Sequence, residues 1–168
     1  MANMTPDNKV IATNRRARRD YKVLNEYEAG LVLVGSEVKS LRESNVTLAE
    51  SYARIFDGEL WLQSLHIAPY SRASATGNHD PDRAKKLLLH RSELTRIKAR
   101  LDQERLTLVP LSLYFKHGKA KVLLGLARGH RRSDKRQAIA ERDARNEARQ
   151  ATGRNKASPQ KPADTPAR

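Results

Sequence analysis

The chain has 168 residues, enough for one ordinary domain with tails, and no cysteine, which excludes a disulfide framework and a thiolate metal site and fits a reducing cytoplasm. No apolar run approaches the roughly 18 residues of a membrane span and the N-terminus lacks a signal-peptide core, so a soluble, cytoplasmic protein is expected. The net charge of +14 points to a long polyanion as partner, because spread-out positive charge gains most where condensed counterions are released.

Residues 1 to 12 carry no periodicity and are expected to be disordered. Residues 9 to 22 hold six basic residues against one acidic one, and NRRARRDY (Asn14 to Tyr21) reads as an arm or a strand lead-in. Tyr21 to Leu24 and Tyr27 to Val34 follow as strand-like runs, with Asn25 and Glu26 as a tight connection or a bulge. Gly30 and Gly35 bracket a run, Leu31 to Val34, that is expected to be buried. A short helix follows, with Ser36 as N-cap, Glu37 in the first turn where the helix dipole favours an anion, and Val38 and Leu41 on one face. Lys39 and Arg42 point outward. A strand feeding directly into such a helix predicts a small barrel whose open end the helix plugs.

Asn45 to Ile67 reads as a meander turning at Asp57-Gly58, a hairpin signal. Trp61 is out of phase with Leu60, Leu62 and Leu65; it either closes a secondary core or offers a stacking platform for a base. Ala68 to Arg83 is a long irregular loop. It leads to Lys85 to Leu89 and to a second helix N-capped by Ser92, with Leu94, Ile97 and Leu101 at helical spacing. Leu106 to Leu126 makes the last strands, turning near His117-Gly118, with Pro110 at an edge or bulge. Roughly six strands and two helices result. The expected fold is mainly β with short helices, an OB-like closed β-barrel over residues 13–128.

Residues 129–168 form a basic C-terminal tail. Positions 128 to 168 hold twelve basic residues and five acidic ones. Alanines 140, 144 and 148 with Ile139 make too thin a stripe to hold a helix alone, so the tail is expected to be disordered when free and helical when bound. No nucleophile elbow, phosphate-binding loop or dinucleotide fingerprint occurs. The five histidines, His66, His79, His90, His117 and His130, lack close metal-ligand spacing. Binding is the expected class, with no enzyme activity, cofactor or metal. Glu28 stands out as an acidic residue in a basic protein; it either receives a base amino group, restrains an arginine or is an ordinary strand position.

Several segments, in order, are similar to one family: NRRARRDY, EAGLVLVGSEVKSLR, ESYARI with DGELWL, NHDP, KKLLLHRSEL, LVPLSLYFKHGKAKVLLGLARG and DKR. Over about residues 12 to 150 the chain resembles the SsrA-binding protein (SmpB) family. The resemblance implies an OB-like barrel with a basic tail that binds transfer-messenger RNA (tmRNA) and brings it to stalled ribosomes for trans-translation. It implies an RNA-binding surface at Asn14, Arg15, Arg18, Tyr21, Glu28, Lys39, Arg42 and Leu88, with Gly129 at the barrel-to-tail junction. It also implies a ribosome-binding tail at His130, Arg131, Arg132, Asp134, Lys135 and Arg136, directed at the small-subunit decoding region and the empty mRNA channel. Elongation factor Tu would be met through the tmRNA complex by a monomer. Ser133 departs from the family, which commonly has a histidine or aromatic residue there; the stack on a decoding-centre base is then missing or falls to His130. The competing reading is a structural ribosome-associated protein that binds ribosomal RNA.

Overall fold

Alternation along the strands sets which face is inside. In β5 (Glu59–Gln63), Leu60 and Leu62 are buried while Glu59, Trp61 and Gln63 face the other way. The preceding strand, β4 (Tyr52–Phe56), pairs with it across Asp57 and Gly58, whose φ angles of 51° and 71° are those of a two-residue primed turn. A second turn of this kind, at His117 (φ 50°) and Gly118 (φ 73°), joins β8 (Thr107–Lys116) to β9 (Lys119–Gly129). A computed structural model describes residues 9–74, 76–130, 140–141 and 143–146. The chain divides into Met1–Gly129 and His130–Arg168. In the second unit, residues 140–141 and 143–146 are helical in backbone and exposed, and the expectation of a tail without free structure otherwise lies outside the described residues.

The first unit is a closed antiparallel ring. Its strand order is β8, β4, β5, β7 (Lys85–Leu88), β2 (Tyr21–Leu31) and β9, and the β8–β9 pairing returns to the start. The expected barrel is therefore present. Its strands curve where the register slips, between Val23 and Asn25 of β2 and between Pro110 and Ser112 of β8. Both lie where the sequence suggested a bulge, and β2 is one strand of eleven residues, not two runs. Two short strands, β3 (Val46–Thr47) and β6 (His66–Ile67), pair outside the ring.

Several expectations need correction. Residues 9–12, expected to be disordered, belong instead to β1 (Lys9–Thr13), which takes up the edge of β8 from Phe115 to Ser112. The arginine-rich lead-in is a helix, α1 (Arg15–Asp20), because the Asn14 carboxamide oxygen accepts from Ala17 N at 3.0 Å and its amide donates to Leu48 O at 3.4 Å. In the Leu31–Val34 run only Leu31 is buried; Val32 and Val34 are 41% and 46% exposed. The chain leaves the ring there and turns into α2 (Gly35–Arg42), so Val34, not Ser36, is the N-cap residue. In place of a hydroxyl cap, the Glu37 carboxylate accepts from Val34 N at 2.9 Å. The last helix, α3 (Arg91–Gln103), likewise starts earlier than expected, with His90 at its N-cap.

One apolar core fills the ring and includes Leu41 of α2 and Ile97 of α3, both fully buried. Outside the β8–β9 wall, Ala17 of α1 packs on Val109, Leu111 and Ala127 as a second cluster. Three charges sit between α2 and the barrel. Arg83 forks onto the fully buried Glu37, with Nε and Nη2 at 2.8 and 2.7 Å from the two carboxylate oxygens. Lys85, also fully buried, donates to Leu65 O at 2.6 Å and Pro81 O at 3.0 Å. Burial pushes the Lys85 ammonium below its usual value, and Glu37 opposes that shift. The sequence reading placed Glu37 at the helix dipole and missed this cluster.

Removing Arg83 would leave a buried carboxylate with no guanidinium partner. Arg83→Met is expected to lower unfolding free energy by about 3 kcal/mol. Glu37→Gln is expected to cost less, because Arg83 keeps access to solvent. Urea denaturation of both variants measures the order, and equal losses would contradict it.

Candidate nucleic-acid interface

β9 lies between β2 and β8, and its register decides what meets on the outer wall. Lys121 stands opposite Gly30 of β2 and Tyr114 of β8, while Glu28 stands opposite Leu123. Glu28 therefore reaches across β9: the Tyr114 hydroxyl donates to its Oε2 at 2.5 Å and the Lys116 ammonium to both oxygens at 3.1 Å. The Tyr114 hydrogen bond holds the Glu28 carboxyl below its usual range; partial burial opposes this, and Lys116 and Lys121 reinforce it. Burial and the same carboxylate push the Tyr114 hydroxyl up. The Glu28 side chain nonetheless stays 36% exposed. The result is an anion framed by a phenol and two lysines.

Beside it, Leu88 of β7 is 55% exposed. It pairs with Gly30 of β2, and its Cβ lies 3.4 Å from where a Gly30 Cβ would stand, an ordinary packing distance. Glu28, Leu88, Leu89, His90 and Lys121 line a shallow cavity of about 340 Å³. Leu88 and Lys121 also border an adjoining groove of about 350 Å³, floored by apolar residues that include Leu31, Leu33, Val38 and Phe115. An apolar floor edged by ammonium groups suits a nucleotide, with base on carbon and phosphate on lysine.

The other residues named from the sequence fall into two groups. On α2, Lys39 and Arg42 are exposed, and the Lys39 ammonium lies 5.6 Å over the Tyr70 ring. At the start of β2, Tyr21 pairs with Gly129, Arg15 is exposed and Arg18 reaches Glu26 at 3.4 Å. Asn14 is only 4% exposed and its side chain is committed to the α1 cap and Leu48, so its place here is to aim α1. Arg131, Arg132, Ser133, Asp134, Lys135 and Arg136 lie outside the described residues; His130 is half-buried in the second unit.

Sequence reasoning missed Tyr114, Lys116, Lys121 and the site position of His90. The hairpin containing the two lysines was legible, but nothing local tells that β9 sets them beside a glutamate far earlier in the chain. Among the described residues no group of three or more His, Asp or Glu could hold a metal ion, and no helix is long and apolar enough to cross a membrane.

A family model described as SmpB protein matches residues 11–154. An SsrA-binding protein of Acidothermus cellulolyticus is 55% identical over 87% of this chain and 91% of its own. One from Mycolicibacterium smegmatis is 52% identical over 88% and 91%. A solved structure described as "tmRNA-SmpB: a journey to the center of the bacterial ribosome" has a chain 54% identical to this one. It covers 76% of this chain and 93% of its own, with a TM-score of 0.61.

The Glu28 cluster predicts a pH dependence. A carboxyl whose folded value lies below its usual 4.5 stabilises the fold above that pH, and the effect is lost as pH falls through the folded value. Wild type is therefore expected to exceed Glu28→Gln in stability at neutral pH. The gap should close in acid, as followed by thermal unfolding across pH 3 to 7; a gap that persists at the acid end counts against it.

Proposed function

The chain belongs to the SmpB protein family, and from that premise we propose that it is an RNA-binding adaptor that holds the tRNA-like part of tmRNA and brings it to stalled ribosomes for trans-translation. The observation that carries this reading is the outer wall of β2, β7 and β9. There, exposed Leu88 and the lysine-framed Glu28 line one shallow cavity with His90 and Lys121, in a chain whose relatives are called SsrA-binding proteins. Glu28 has a defined part in it. It orients Lys116 and Tyr114 and keeps exposed carboxylate free to accept from a base amino group, and Lys121 supplies charge for phosphate.

Arg15, Arg18, Lys39 and Arg42 extend the positive surface along the same RNA, and Tyr21 with Gly129 sets where the barrel ends. The tail reads a different RNA. His130, Arg131, Arg132, Asp134, Lys135 and Arg136 engage the small-subunit decoding region, and the following segment orders as a helix in the empty mRNA channel, its ordering cost offset by phosphate contacts. The protein works in the cytoplasm as a monomer and meets elongation factor Tu only through the tmRNA complex.

Three experiments test this. Glu28→Ala is expected to weaken tmRNA binding while circular dichroism stays native; an unfolded variant would reduce Glu28 to a structural role. Truncation after Gly129 is expected to leave tmRNA affinity largely intact and to abolish peptide tagging on stalled ribosomes. A strong loss of tmRNA affinity would contradict that division. An RNA pull-down that returns ribosomal RNA alone would replace the adaptor with a ribosome-anchored protein.

A further inference from the structure

The outer face of β4 and β5 has no part in the wall just described, and β7 borders both, pairing Lys86 with Trp61 of β5 and Leu88 with Gly30 of β2. Tyr52 is 43% and Phe56 61% exposed, and both point outward from β4. Register puts Trp61 directly between Arg54 of β4 and Lys86 of β7. Trp61 belongs to neither apolar cluster, so of the two sequence readings the secondary core is not the one realised. The Arg54 guanidinium lies 5.5 Å over the Phe56 ring, and Lys86 is steered by Glu59 at 2.6 Å.

The chain has two Phe, five Tyr and one Trp, and three of these lie on this one face. With strands about 5 Å apart, the rings and the guanidinium span room for two or three bases. Folding does not require such exposure: the inward residues of the same strands, Ala53, Leu60, Leu62 and Leu87, are buried. Flat rings interleaved with cations suit unpaired bases, which stack on aromatic and guanidinium planes while phosphates meet the charges. A base-paired helix hides the faces of its bases and would not fit. Strand order adds a constraint. In the ring, β4 stands across from β2 and β5 across from β9, so this face and the Glu28 wall look away from each other.

We propose that Tyr52, Arg54, Phe56, Trp61 and Lys86 form a second RNA site, a stacking platform for a short single-stranded segment separate from the RNA held on the β2–β9 wall. The inference goes beyond the adaptor reading and does not depend on which RNA that wall binds.

The full chain and its single tryptophan supply the test. Hexameric oligoadenylate and oligouridylate are titrated against Trp61 fluorescence, with a short RNA duplex as control. Saturable quenching by the single strands and not by the duplex is expected, and Phe56→Ala should weaken it by about fivefold or more, the value of one lost stack. Glu28→Ala should leave the quenching unchanged and Phe56→Ala should leave tmRNA affinity unchanged, so the two sites can fail separately. Absent quenching, equal quenching by the duplex, or indifference to Phe56→Ala overturns the proposal. Self-association abolished by Phe56→Ala also overturns it and assigns the face to a second copy of the chain.

Discussion

The two-sided pairing of β9 is the constraint on which the barrel depends. One strand of eleven residues is bonded to β2 along one edge and to β8 along the other. Without the second ladder the sheet would be open, with two long edges unsatisfied. The opposite seam is thin by comparison: β4 meets β8 through Ala53 and Leu108 alone, and β1 takes over the remaining edge of β8. Closure therefore rests on the β8–β9 hairpin, whose tight turn makes its register local.

That closure also builds the site. Glu28 and Lys116 are far apart in the chain, and the contact between them exists because β9 holds β2 and β8 in register on either side of itself. The cost of holding a partly buried carboxylate is offset by three hydrogen bonds from two neighbours, and the side chain keeps 36% of its surface exposed. On the other side of α2 the Glu37–Arg83 fork and the two carbonyls on Lys85 fasten the helix and the end of the long loop to the barrel. His79 adds to this by bridging Ser36 Oγ and Ile67 O, both at 2.9 Å. A loop that composition marks as irregular is thus pinned at its C-terminal end, and this fixes where β7 and exposed Leu88 emerge.

Much of the architecture was legible because it is periodic or punctuated. Alternation gave Leu60 and Leu62 an inner face and Trp61 an outer one, Asp57-Gly58 and His117-Gly118 marked their turns, and the bulges near Asn25 and Pro110 followed from polar and imino residues in apolar runs. What failed was local in appearance and tertiary in cause. The arginine-rich segment has little apolar content to announce a helix, and α1 forms because Asn14 is anchored by both its side chain and its backbone, which donates to Leu111 O at 2.8 Å. Val32 and Val34 look like core and are not, since the strand ends before them.

By itself the sequence determined a basic, cysteine-free, mainly β chain with a barrel, a charged tail and the marks of a known RNA-binding family, since charge, turn chemistry and hydrophobic period are local properties of the chain. Only the tertiary structure decided which charges meet. Ring closure chose Tyr114, Lys116 and Lys121 as the company of Glu28, buried Glu37 with Arg83, and turned Trp61 away from the core beside Arg54 and Lys86. Register between distant strands is set by the summed packing of one shared core, and no window of sequence contains that sum.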